Sequence, residues 1–123
     1  MSEEFVLFIV EPEWDPATVT AEDWSTAMQA HNAFSAAVVA AGGEIVGGDA
    51  LSGQKDAVRI DPAKDGSPAV FTDGPFGETK EVVTGFYKIR VNDAAQAREL
   101  AALCPTDGWI ELYPVLDTTG GEG

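Results

Sequence analysis

Apolar residues run unbroken from Phe5 to Val10, after Glu3-Glu4 and before Glu11-Pro12. A short run of this kind predicts a strand buried on both faces. Pro12, Asp15 and Pro16 break the pattern, and the period then changes. Trp24, Met28, His31, Ser35 and Val38 fall on one stripe, flanked by Ala27 and Phe34, which predicts an amphipathic helix facing a sheet. Thr20 is placed to cap it, Glu22 and Asp23 suit its first turn, and Gly42-Gly43 ends it.

A second strand is predicted over Glu44 to Leu51, where Gly47-Gly48 suggests a bulge or another backbone passing close by. Asp56 to Ile60 and Ala69 to Thr72 are short strands, and Asp73-Gly74 is a pair that favours a tight turn. Glu81 to Val91 is a long strand rich in β-branched and aromatic residues. Asn92-Asp93 caps a second helix from Ala94 to about Leu103, Pro105 closes it, and Trp109 to Val115 is the last strand. The order is β-α-β, a hairpin insert, then β-α-β. It predicts an α+β, ferredoxin-like βαββαβ domain with both helices on one face of an antiparallel sheet. The other face then needs cover, and a second copy of the same sheet is the economical solution, so a homodimer is expected.

Composition narrows the picture. The chain has 123 residues, 45% of them hydrophobic, enough for one core and too few for two ordinary domains. One domain over residues 1–117 is expected, followed by a polar, glycine-rich tail over 118–123. Seven Lys and Arg against 21 Asp and Glu give a net charge of −14. The few cations are scattered, so no basic footprint for nucleic acid or an anionic membrane is formed. Cys104 is the single cysteine, which excludes an intrachain disulfide and a thiolate zinc cluster. Met1-Ser2-Glu3-Glu4 lacks the basic region of a signal peptide and no apolar run is long enough to span a bilayer, so a cytoplasmic location is expected.

The segment from Val70 to Glu81 reads Val-Phe-Thr-Asp-Gly-Pro-Phe-Gly-Glu-Thr-Lys-Glu, and Gly85-Phe86-Tyr87 follows in the next strand. With Ala30-His31 and Phe34, Gly47-Gly48-Asp49-Ala50-Leu51 and Cys104-Pro105, it resembles the YCII-related domain family, specifically its DGPF-motif subgroup. The resemblance covers roughly Phe5 to Asp117. It implies a dimeric α/β-barrel, similar to muconolactone isomerase and small heme-free monooxygenases, with a pocket between helices and sheet near the dimer interface. Members of the subgroup are often encoded beside extracytoplasmic-function sigma factors, and the wider family includes a dehydrochlorinase acting on a chlorinated hydroxyquinol. The wider family also pairs a His in the first helix with an Asp-Pro after the second. This chain keeps the His as His31 but has Cys104 before Pro105.

His31 is the only histidine, and imidazole titrates close enough to neutrality to act as a general base or acid. Two readings stand for it: a core histidine bonded to a carbonyl, or a pocket proton carrier. Asp73 either closes its own turn or, if the loop Asp73-Gly74-Pro75-Phe76 folds over the pocket, orients His31. In that second case Gly74 and Phe76 belong to the binding surface, Phe76 as an apolar wall. Asp49 is a further acid placed to face His31, and Trp14 is a candidate for the pocket mouth. No cluster of metal ligands and no glycine-rich phosphate loop is present, so no metal or cofactor is expected. Two functions follow: a cofactor-independent enzyme in which His31 moves a proton on a small cyclic organic molecule, as an isomerase or lyase does, or a non-catalytic ligand-binding or regulatory module serving a sigma factor.

Overall fold

Strand β1 (Glu3–Pro12) lies at the centre of a four-stranded antiparallel sheet, between β5 (Glu81–Val91) and β6 (Trp109–Pro114), and β2 (Glu44–Ala50) completes the order β2-β5-β1-β6. The computed structural model describes residues 2–15, 17–74 and 81–118. Expectations resting on Pro16, on residues 75–80 with Phe76 among them, and on the tail beyond Thr118 lie outside the described residues. Helices α1 (Ala21–Ala40) and α2 (Ala94–Ala101) connect the strands, and a two-stranded ribbon of β3 (Val58–Asp61) and β4 (Val70–Asp73) is inserted before β5. This is the α+β, ferredoxin-like arrangement that the order of elements predicts.

Phe5, Leu7 and Ile9 on β1 meet Phe34 and Val38 of α1, Ile89 and Val91 of β5, and Ala97, Leu100 and Ala101 of α2 in one core cluster. Both helices therefore cover the same face. Burial of Leu7 or Phe34 stabilises the fold by about 1.5–3 kcal/mol each. Within the single chain the other face of β1 is buried only at Val10, short of the burial on both faces that its apolar run predicts. Val6 and Phe8 are half-buried on the other face, opposite Lys88 and Phe86 in the register. On that open face the Phe8 and Tyr113 rings meet edge to face at 5.6 Å. Glu4 there bridges Arg90 at 2.8 Å and Lys88 at 3.3 Å, and those bonds hold its carboxyl below the usual range.

α1 begins with a reciprocal cap. The Thr20 hydroxyl accepts from the Asp23 amide at 3.0 Å, and the Asp23 carboxylate accepts from the Thr20 amide at 2.9 Å. Its apolar stripe divides in two. Phe34 and Val38 reach the core, whereas Trp24 and Met28 are each 53% exposed. α2 starts with Asp93 accepting from the Gln96 amide, and Gln96 donates to the Ala41 carbonyl at the end of α1. It ends at Ala101, two residues before the expected boundary, and Leu103 is exposed.

The tight hairpin turn falls at Asp65-Gly66, where φ is positive at both residues and Lys64 and Ser67 exchange backbone hydrogen bonds. Asp73 instead completes β4. Gly74 follows with its amide donating to the Ala57 carbonyl at 2.9 Å, and a Cβ there would sit 1.9 Å from the Gln54 carbonyl oxygen. The glycine of the Asp-Gly pair is thus required by close backbone approach. Gly74→Ala is expected to force the ribbon off the short 3-10 turn at Gln54–Asp56 and to cost about 1–3 kcal/mol, as overpacking does. An unchanged thermal midpoint for that variant would show that the close approach is not made.

Candidate functional site

Two register shifts shape the end of the sheet that faces the N-terminal half of α1. One lies between Ile45 and Gly47 on β2, in the stretch where Gly47-Gly48 suggested a bulge. The other lies between Ile9 and Val10, where Ile9 pairs with Gly85 but Val10 pairs with Val83, leaving Thr84 as the extra residue on β5. Beside this bulge a cavity of about 1190 Å³ opens between α1 and the sheet. Its wall includes Trp24, Met28 and His31 of α1, Tyr87 of β5, Asp49 of β2 and Trp14 from the loop after β1.

His31 is held from its Nδ1, which lies 2.7 Å from the Tyr87 hydroxyl. The Tyr87 ring is fixed in turn by Phe34, whose ring centre is 4.9 Å away. Burial pushes the His31 imidazole below its ordinary value of 6.5, with the Glu11 charge opposing the shift. Burial also pushes the Tyr87 phenol up, with a further push from Cys104. Near neutral pH the pair is therefore an uncharged imidazole against an uncharged phenol. When Tyr87 donates to Nδ1, the imidazole's own proton sits on Nε2; when Tyr87 accepts from Nδ1, Nε2 is a base. The direction of this one bond thus decides whether Nε2 offers a hydrogen bond or takes a proton.

Glu11 continues the inward-facing series Phe5, Leu7, Ile9 and is 8% exposed. Its carboxylate accepts from the Thr84 hydroxyl at 2.5 Å and from the Asp107 amide at 2.9 Å, with the Thr106 hydroxyl at 3.4 Å. The bulge that sets Thr84 out of register thus supplies a donor for the buried carboxylate. Glu13, two residues on, accepts from the Gln54 amide and ties the strand end to the loop that rims the cavity.

Four of the residues singled out from the sequence fall at or beside this cavity. His31, Trp14 and Asp49 line it. Gly74 packs against the back of the Gln54–Ala57 loop, whose residues form part of the wall. Asp73 is exposed at the end of β4, across from Val58, and within the described residues the carboxylate acting on His31 is Glu11. Phe76 lies outside the described residues. Glu11, Tyr87 and Thr84 were not anticipated. Glu11 could have been found, since a charge in register with three inward-facing apolar residues needs a partner. Among the described residues no three His, Cys, Asp or Glu side chains are grouped as metal ligands would be, and no helix is long and apolar enough to cross a membrane.

With this geometry in place, the comparison with known families is decisive on kinship. Residues 6–119 match the model of the YCII-related domain. The chain belongs to the YCII-related domain family. No curated protein matches it. In this YCII-related domain Cys104 stands where the resemblance would put an acid before Pro105, and it is buried, its thiol pushed up to about 12 by that burial. A thiol so high stays protonated and does not replace a carboxylate. Among the described residues the carboxylate whose charge reaches His31 is Glu11, on β1.

Proposed function

We propose that this YCII-related domain is a cofactor-independent enzyme of the isomerase or lyase type, in which His31 takes a proton from one position of a small cyclic organic molecule and returns it to another. The observation that carries the reading is the 2.7 Å contact between His31 Nδ1 and the Tyr87 hydroxyl in the wall of a large cavity. An isomerase must both accept and donate a proton: with Tyr87 accepting from Nδ1, the uncharged imidazole takes the proton at Nε2, and the imidazolium so formed returns it from the same nitrogen to the other position. The Glu11 charge favours the imidazolium that exists between the two transfers. The reading is tested by turnover of a panel of small cyclic compounds bearing an acidic C–H, wild type and His31→Ala in parallel. Unchanged turnover in the variant excludes the proton-transfer role. Binding without turnover in either protein favours the regulatory module.

The working unit in this reading is a homodimer. Val6, Phe8 and Phe86 are half-buried on the open face of the sheet, next to the exposed Tyr113, and both helices lie on the opposite side. A second copy laid on this face completes the second layer that a sheet of this kind requires. Phe8→Asp is expected to turn a wild-type dimer into a folded protomer in sedimentation at micromolar concentration. A wild type that already sediments as a protomer rules the dimer out.

A further inference from the structure

The charge and the aromatic lining of the cavity point to a class of occupant that neither the fold nor the proton-transfer reading specifies. Five carboxylates contribute to its walls, Glu11, Glu13, Asp49, Asp56 and Glu81, and among the described lining residues the one permanent cation is Lys55. The rest of the molecule deepens the negative field, with a net charge of −14 over the chain. His31 adds no opposing charge near neutral pH, because its imidazole is held below the usual range. The N-terminus of α1, which in another helix would attract an anion, has its cap amides engaged by Thr20 and Asp23. Trp14 and Trp24 meet with ring centres 5.3 Å apart and planes tilted by 37°, and both residues line the cavity. Indole faces attract cations more strongly than any other side-chain ring.

We infer that the cavity takes an organic cation, a cyclic or aromatic amine or ammonium compound whose positive group rests on the Trp14–Trp24 pair while its ring fills the apolar space toward Met28 and Ile9. The inference rests on the reading that this cavity is the ligand site, and it adds the charge of the ligand. A carboxylate or phosphate compound of the same shape is disfavoured, since it meets five like charges and one opposite charge among the described walls.

Three probes with one ring and three charges test this: benzylamine, benzyl alcohol and benzoate, titrated by calorimetry into the wild-type protein at low and high salt. Benzylamine is expected to bind about fivefold tighter than benzyl alcohol, the upper end of a cation–π contact at an exposed ring, and benzoate to bind weakest. High salt narrows the difference between benzylamine and benzoate. Trp24→Leu, at an exposed position that tolerates change, lowers the benzylamine affinity about fivefold and leaves benzyl alcohol unaffected. Asp49→Lys moves preference toward benzoate. Benzoate or benzyl alcohol binding as tightly as benzylamine overturns the inference, and so does the absence of binding by all three. His31→Ala separates it from the proton-transfer reading: a variant that keeps the preference for benzylamine preserves the ligand class whatever happens to turnover.

Discussion

A His31→Ala protein is expected to fold, to bind ligand, and to turn it over about 10²–10⁴-fold more slowly than wild type, the usual contribution of a positioned acid-base group. Half-burial of His31 at the cavity wall means that the truncation opens space beside a cavity already present, so the core cluster of Phe34, Val38, Leu7 and Ile89 is untouched. The same side chain fixes the pH dependence. Its imidazole is depressed below 6.5 by burial, so the neutral base persists to lower pH than an exposed histidine would allow. The acid limb of kcat/KM is therefore expected below 6.5. For stability the sign is the same: the unfolded chain takes up a proton near 6.5 and the folded chain only lower, so the contribution of this group is complete above 6.5 and is lost as pH falls below it. An acid limb above 6.5, or a His31→Ala protein as active as wild type, contradicts the assignment.

Glu11→Ala is expected to be the most damaging single change away from the apolar core. It leaves the Thr84 hydroxyl and the Asp107 amide without their acceptor in a buried position, and hydrogen bonds to a charged group lost in this way cost about 3 kcal/mol together. Urea unfolding measures it through a lower midpoint. Glu11→Gln keeps an acceptor of the same shape and should recover part of the loss. Because the Glu11 charge raises the His31 imidazole, both variants also move the His31 titration further down, which proton NMR of the single histidine reads directly. A Glu11→Ala protein as stable as wild type, with His31 titrating where it did, would show that the carboxylate neither anchors the bulge nor acts on the ring.

Much of the fold is legible because local signals agree with it. Thr20 and Asp93 mark both helix starts, Gly42-Gly43 follows the first helix, and the long strand from Glu81 to Val91 falls where its β-branched and aromatic residues place it. What failed did so where a partner outside the segment decides. The run Phe5 to Val10 carries no mark of which face the helices will cover, and the Trp24 and Met28 positions continue the stripe of Phe34 and Val38 although the sheet has fallen away beneath them. The two Asp-Gly pairs look alike in sequence. Only the structure shows that Asp65-Gly66 turns the chain while Gly74 makes room for the Gln54 carbonyl. The site divides in the same way. His31, Trp14 and Asp49 advertise themselves by residue type, whereas Tyr87 and Glu11 are recognisable only once β5 and β1 are set in register around the Thr84 bulge.

The division of α1 bears on how a molecule of any size gets in and out. From Phe34 onward the helix is bolted to the core, but over its first three turns its side chains rest on the cavity and its end is closed by its own Thr20–Asp23 cap. Such an end is held sideways by two side-chain ties, the Trp14–Trp24 contact and the His31–Tyr87 bond, instead of by core packing. An occupant lying between the indoles and the sheet would add a third tie to the two that the helix already has.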